Sequence, residues 1–424
     1  MRIALGILLL MSFSQGKASP LQVQRRGTEW RSEPTHVVLA TEDYLLTRAA
    51  DAKDDDFQDL YWIDLSDSRF DALTLESLGH VELIVPEAFA VVRIAPSQVP
   101  YAGSFLHDER WSCGQLIRLS GDEVPNLRAS KPAQPSIALT QKLPRLSALH
   151  AEVRADRIEK TVESLAAMGS RAARLKDGGK VTQAMLELYK NLSAKRSDVS
   201  FSTVQHAGYA QPSYIVRIEG QVRPEEIVVF GSHIDSINRS GTNNAAPGAD
   251  DNASGTASQL ELFTLIMEEN LHFDRTIEIH GYAIEELGLI GSQDIARRYT
   301  EAGKKVVAMV QNDMNLFKNT SEDMIWLVTN DTDPQLTKDA EAMIRSYQSV
   351  SLGKNRLTGG TSDHRSWNRQ GVPVLFPTEN PTDYNHRIHT AEDTVANSGA
   401  FTQAAEFVKL SLSFAAYYAG LRSE

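Results

Sequence analysis

Cysteine is all but missing: Cys113 is the single one in 424 residues. No intrachain disulfide can form, and the lone thiol reads as a small buried hydrophobe. No long Lys/Arg stretch occurs, and 55 Asp and Glu outweigh 43 Lys and Arg, giving a formal net charge of -12. That balance excludes nucleic acid and anionic membrane as main partners. Past the first residues, no apolar run approaches the roughly 18 residues that a bilayer span requires. There is no internal repeat and no long low-complexity tract. With 42% hydrophobic and 23% charged residues, what remains is an ordinary soluble globular composition. The length suits one large α/β domain with a smaller companion.

The chain opens with Arg2, an apolar run from Ile3 to Phe13 and small or polar residues to Ala18. Residues 1–18 therefore read as a secretory signal peptide, which predicts a secreted, extracellular or periplasmic, protein. Short strands are expected at His36 to Ala40, Leu60 to Leu65 and Phe89 to Ile94, with Asp51 to Asp56 as a solvated acidic loop. Ser120 to Ser136 collects Gly, Pro, Ser and Lys without periodicity, which places a boundary near residue 130. The expected division is 1–18 signal, 19–130 propeptide or accessory domain of small α+β type, and 131–424 main domain. Beyond 140, strands alternate with helices. Helices are expected at Ala151 to Met168, Gly179 to Ala194, Leu289 to Ala302, Pro334 to Gln348 and Thr402 to Leu421. Strands are expected at Tyr214 to Ile218, Ile227 to Phe230, Thr276 to Ile284, Lys305 to Gln311, Met324 to Val328 and Pro373 to Phe376. Such alternation indicates an α/β fold with a mostly parallel central sheet and helices on both faces.

The organising stretch runs from Ile227 to Phe263. An uninterrupted apolar run, Ile227 to Phe230, reads as a strand buried on both faces, with His233 and Asp235 just past its carboxyl end. A Gly, Asn and Pro-rich loop leads to Gly248-Ala-Asp-Asp-Asn-Ala-Ser-Gly255, where a helix begins. Glu285-Glu286, Asp313 and His389 likewise follow predicted strands. In an open α/β sheet that edge is where ligands bind. His233, Asp251, Glu285, Glu286, Asp313 and His389 could therefore meet. Imidazole with carboxylate suits Zn²⁺ or Co²⁺, whereas an all-oxygen set would suit Ca²⁺ or Mg²⁺. Two histidines among several carboxylates fit two metals sharing one carboxylate, a pair roughly 3.5 to 4 Å apart that assists amide hydrolysis. If Glu286 is a ligand, Glu285 is left to act as general base. Asp250 and Asp251 also suit helix capping and Asp313 a turn; Asp251 and Asp313 are assigned to metal and Asp250 is left as a structural neighbour. His36, His80, His107, His150, His206, His272 and His280 carry no motif around them.

These stretches, with Asn312-Asp-Met314, Thr361-Ser-Asp-His364 and Asp383-Tyr-Asn385 followed by Arg387-Ile-His-Thr390, resemble the M28 family of di-zinc aminopeptidases, in particular its secreted bacterial leucyl-type members. The resemblance covers residues from about 140 to the end, in the family's order. It implies that one Zn²⁺ takes His233 and Asp313, the other Glu286 and His389, and that Asp251 bridges them; Co²⁺ or Mn²⁺ could substitute. It makes Glu285 the base, and places Asp235 behind His233 and Ser362 behind the ligands. The implied substrates are peptides with a free N-terminus, leucyl and other hydrophobic ones preferred, acted on by a monomer. Met314, Phe376, Tyr384 and Ile388 are candidates to line the substrate pocket. The sequence departs from the family at Leu357-Thr-Gly-Gly-Thr361, where relatives carry Cys-x-Tyr-x-Cys. Competing readings are a carboxypeptidase or dipeptidase, with Arg239, Arg365 or Arg387 holding the substrate carboxylate, a glutaminyl cyclase, and a binding protein without turnover.

Overall fold

The computed structural model describes residues 20–25, 37–40, 44–57, 59–65, 72–86, 88–95, 98–99, 102, 116–119, 134–357 and 360–422. The expected signal sequence, Cys113, the expected boundary near 130 and Gly359 lie outside them.

The main sheet has six strands, in the order Val374–Leu375, Lys305–Gln311, Arg223–His233, Arg275–Tyr282, Ser213–Ile218 and Val199–Val204. The first four run parallel, and Ser213–Ile218 pairs antiparallel with both its neighbours, leaving the sheet mostly parallel as expected. The central strand explains why helices cover both faces. Alternate side chains of a strand point to opposite sides. Val228 and Phe230 enter one core, with Phe263 and Phe414, while Ile227 and Val229 enter another, with Ile295, Tyr299 and Trp367. Each such fully buried side chain is worth about 1.5 to 3 kcal/mol over exposure. On the first face pack helices Pro144–Ala151, Ala155–Ala166, Lys180–Leu192, Gly255–Glu268 and Phe401–Phe414; on the second, Ile290–Glu301 and His364–Arg369.

Some elements differ from expectation. The helix predicted at Ala151 to Met168 is Ala155–Ala166, separated from an earlier helix, Pro144–Ala151, where Arg154 adopts extended backbone. There the amide of Arg154 donates to Glu261 and the guanidinium of Arg157 grips the same carboxylate, so the break ties both helices to a neighbour. Met324–Val328 leaves the main sheet and forms a small one with Ser351–Asn355 and Pro377–Thr378. The strand expected at Pro373 to Phe376 is thereby split: Val374–Leu375 pairs in the large sheet and Pro377–Thr378 in the small one, with Phe376 between them. Among the described residues no helix is long and apolar enough to cross a membrane.

Residues before 120 form two antiparallel sheets, Leu21–Arg25 with Tyr44–Arg48 and Val37–Ala40, and His80–Val85 with Phe89–Arg93, Leu60–Asp64 and Leu116–Arg118. They do not stand apart from the rest. Tyr61, Ile63 and Val92 join the main core, and Leu289 of the main domain is buried among Leu46, Trp62 and Ile117. The guanidinium of Arg365 lies 4.7 Å above the Trp62 ring, and Arg369 Nη2 donates to the Val38 carbonyl at 3.0 Å.

One buried histidine couples the fold to pH. His150, packed 6.0 Å from the Tyr347 ring and 2.9 Å from Ser413 Oγ, has its pKa lowered to about 4 by burial and by Lys409. In the unfolded chain it titrates near 6.5, so the unfolded state binds more protons between these values. The contribution is complete above about pH 6.5 and fades as pH falls toward 4, on the order of 3 kcal/mol in all. Chemical denaturation from pH 7 to pH 4 should show this loss, and a His150→Gln variant should show a flatter profile; identical slopes would refute it.

Candidate metal centre

The register of the central strands sets the site. His233 pairs with Tyr282, and Gly231 with Gln311, so three strands end level with one another. Expected just beyond its strand, His233 is instead the strand's last residue, because the ladder continues through Gly231 and Ser232. Ala283 to Glu286 and Asn312-Asp313 continue from the two neighbours. The fourth contribution comes from the turn before Gly255–Glu268. A Cβ on Gly255 would collide with the Asn312 carbonyl and with Asn252 Oδ1, so only glycine lets the helix start lie against that strand end.

Six side chains converge there, all buried. Asp251 is central: its Oδ1 is 3.0 Å from His233 Nε2 and its Oδ2 is 2.8 Å from His389 Nε2. Asp313 Oδ1 is 3.4 Å from His233 Nε2, and Glu286 Oε2 is 3.1 Å from His389 Nε2. Two triples, His233 with Asp251 and Asp313, and Asp251 with Glu286 and His389, each bring their ligand atoms within 4.8 Å of one another. His233 Nε2, Asp313 Oδ1 and both oxygens of Glu285 are buried with no hydrogen-bond partner. Buried polar atoms are ordinarily paired, and uncompensated ones aimed at a common point mark a place for a ligand. Imidazole and carboxylate donors in two triples with one shared member fit two divalent cations of the zinc class.

The electrostatics agree with that fit. Burial disfavours charge on His233, but Asp313 and Glu285 overcome it and hold the imidazole well above its usual range. His389 is likewise raised to about 10, burial being outweighed by Glu286 and Asp251. Asp251 is held well below the carboxylate range despite burial by the two imidazoles beside it. Glu286 rises to about 7, through burial and then the Asp251 charge; Glu285 rises further, chiefly through burial. The site is thus a sink of negative potential that attracts positive charge.

A second tier holds these groups. Asp235, expected to orient His233 through its carboxylate, reaches the ring with its backbone carbonyl at 3.2 Å. Its carboxylate lies 3.6 Å from Nδ1 and instead accepts the amides of Glu285 and Glu286 at 3.0 and 3.3 Å. Ser362 donates to Asp313 Oδ2 at 2.5 Å and accepts from Gln311. Sequence reasoning missed Asp393, which takes the amides of Asp250 and Asp251 at 3.0 and 3.1 Å. It also missed Arg171, a buried guanidinium bonded to the carbonyls of Ile234, Pro247 and Gly248. Asp393 lies four residues after His389, within reach of the motif as read; Arg171 has no local signature. Asp250, read as a structural neighbour, bonds the Leu316 amide and Asn385 Nδ2.

Met314, Tyr384 and Ile388 form a small apolar cluster of their own next to Asp313 and His389. Phe376 is not part of it and packs 4.6 Å from the His364 ring. Arg365 is committed to Trp62, and Arg387 is exposed. A recess lined by Arg174, Asp235, Ile237, Thr242, Glu286 and Leu287 reaches the other side of the centre.

A parallel-centred sheet with a carboxylate-imidazole cluster at its carboxyl edge places the cluster where α/β folds bind their ligands. Residues 213–412 match the family description "Peptidase family M28". A probable leucine aminopeptidase of Arthroderma benhamiae is 33% identical over 269 residues, 62% of this chain and 73% of that protein. Leucine aminopeptidase 1 of Arthroderma gypseum is 30% identical over 346 residues, 76% of this chain and 90% of the relative. The chain belongs to peptidase family M28. Among solved structures, the LapA aminopeptidase of Legionella pneumophila shares the fold with a TM-score of 0.70 at 24% identity, covering 84% of this chain and 97% of its own. LapB of the same organism gives 0.71 at 23%, covering 84% and 98%. That share is more than residues beyond 130 can supply, so the common fold extends into the N-terminal sheets. The curated relatives named here are fungal and the structures bacterial, so membership is not confined to bacterial proteins.

Removing the Asp235 carboxylate leaves two amides unpaired beneath the Glu285-Glu286 pair. Asp235→Ala should keep its fold, by circular dichroism, and lose peptidase activity by roughly 10- to 100-fold. Parent-like turnover would show that these amide bonds do not matter.

Proposed function

We propose that this protein is a secreted aminopeptidase that removes N-terminal residues, apolar ones preferred, and that it works with two bound zinc ions. His233 and Asp313 would hold one, Glu286 and His389 the other, with Asp251 shared between them. The carrying observation is that the two oxygens of Asp251 are shared out, one toward each histidine. When bound, the cations supply Lewis-acid polarisation of the scissile carbonyl and a water acidic enough to attack near neutral pH.

The chain's own groups do the rest. Glu285 is fully buried, its oxygens take no hydrogen bond, and its backbone is pinned by Asp235. It takes the proton released as water oxygen bonds to the carbonyl carbon. It returns that proton to the amine nitrogen when the C–N bond breaks. The apolar group Met314, Tyr384 and Ile388, beside the ligands Asp313 and His389, supports a preference for leucyl-type side chains. The leader-like apolar run from Ile3 to Phe13 supports export. The N-terminal sheets share the main core, which supports an accessory domain that stays with the enzyme over a propeptide that is shed.

Glu285→Ala should bind metal like the parent, by elemental analysis, yet lose at least about 100-fold in kcat. Activity within severalfold of the parent would refute the base assignment. Leucine p-nitroanilide should be cleaved, a chelator should abolish cleavage, and N-acetylated peptides should survive. Cleavage of blocked peptides from the carboxyl end would support the carboxypeptidase reading instead.

A further inference from the structure

Outside the two cation-binding triples, a serine, a histidine and an aspartate are joined in the manner of a nucleophilic triad. Ser213 Oγ lies 2.7 Å from His206 Nε2, and His206 Nδ1 lies 2.9 Å from Asp294 Oδ2. Asp294 is held in turn by Arg297 and Arg298 at 3.0 and 2.7 Å. Burial argues against a second hydrolytic centre. Ser213 is 0% exposed, and a Cβ on Gly291 would already sit 3.0 Å from its hydroxyl, so no acyl group can reach it. The hydroxyl has another partner: it accepts the backbone amide of Ala283 at 2.9 Å.

Ala283 stands two residues before Glu285, at the start of a turn that backbone preference alone does not stabilise. Ile284 has φ 63°, Gly288 φ 107° and Leu289 φ 59°. A β-branched residue with positive φ is an outlier that persists only where its surroundings impose it. Asp235 fixes the middle of the turn through the amides of Glu285 and Glu286. Ser213 fixes its beginning. An ionised aspartate only accepts, so His206 Nδ1 donates to Asp294, and in the neutral imidazole Nε2 then accepts from Ser213. The lone pairs of Oγ are then free for the Ala283 amide. We propose that Ser213, His206 and Asp294 are positioning residues that hold the Glu285 turn in its working geometry, a role resting on the reading of Glu285 as the base.

The test uses the full-length, metal-loaded enzyme. Asp294→Ala and Ser213→Ala should lower kcat roughly 10-fold and roughly 10- to 100-fold, with KM moved by less than about twofold. Arg345→Ala, an exposed residue paired with Glu341 and outside the relay, should behave as the parent. Amide hydrogen exchange read by mass spectrometry should quicken over 283–289 in both relay variants. A fluorophosphonate probe should leave Ser213 unlabelled. Labelling of Ser213 would overturn the proposal, as would unchanged exchange over 283–289 in Asp294→Ala. Faster exchange with unchanged kcat would overturn it by showing that the placement of the turn is immaterial, and would count against Glu285 as base as well. If instead Glu285→Ala abolishes turnover while exchange in Asp294→Ala is unchanged, only the relay fails.

Discussion

Everything in this structure answers to one constraint: carboxylates crowded together away from water repel each other and lose hydration at once. Asp235, Asp250, Asp251, Glu285, Glu286, Asp313, Asp363, Glu379 and Asp393 are all buried in one neighbourhood, against two imidazoles and the Arg171 guanidinium. An unpaired buried charge costs several kcal/mol or more. The fold meets that cost with backbone amides. Asp235 takes two, Asp393 two, and Glu379 accepts those of Phe317 and Asn385. What amides do not compensate points at the two places flanking Asp251. Such a cluster has the donor set to receive divalent cations, in keeping with the chain's membership of peptidase family M28.

The same constraint explains why the scaffold is rigid where it is. The clustered side chains come from three strand ends, one helix start and one loop, so their mutual distances depend on a sheet register that alternating apolar residues lock on both faces. The backbone conformations that deliver them are unusual. Ile284, Leu289, Met314 and His389 all have positive φ, and each lies beside or within the site. Such conformations need packing to impose them. The N-terminal sheets supply part of that packing, since Leu289 is buried in their core and a Cβ on Gly288 would strike the Leu116 carbonyl. A unit read from sequence as propeptide or accessory is thus in contact with the turn that bears Glu285.

Much of this was legible before any coordinates. The apolar runs at Ile227 and Lys305 announced buried strands, and the polar clusters after them fell at the edge where α/β sheets bind ligands. His233, Asp251, Glu285, Glu286, Asp313 and His389 are indeed gathered within a few ångströms. What was hidden depends on tertiary geometry. Nothing local in Ser213, His206 or Asp294 says that 7 and 88 residues of separation close to hydrogen-bond distance. Arg171 looks like any surface arginine until three loop carbonyls surround it. The role of Asp235 was half read, because the sequence shows that it neighbours His233 but not that its carboxylate turns toward the Glu285 amides. Phe376 was placed beside the ligands by proximity in sequence, yet the chain passes from one sheet to another at that point and carries the ring onto His364.

The central claim is that Asp251 is shared by two cations. The most direct measurement is isothermal titration of the metal-free protein with Zn²⁺, beside an Asp251→Ala variant whose folding is verified by circular dichroism. The account predicts two equivalents bound per chain in the parent and weakened binding at both positions in the variant. A single equivalent in the parent, or a variant that loses one position and keeps the other at full affinity, would contradict it.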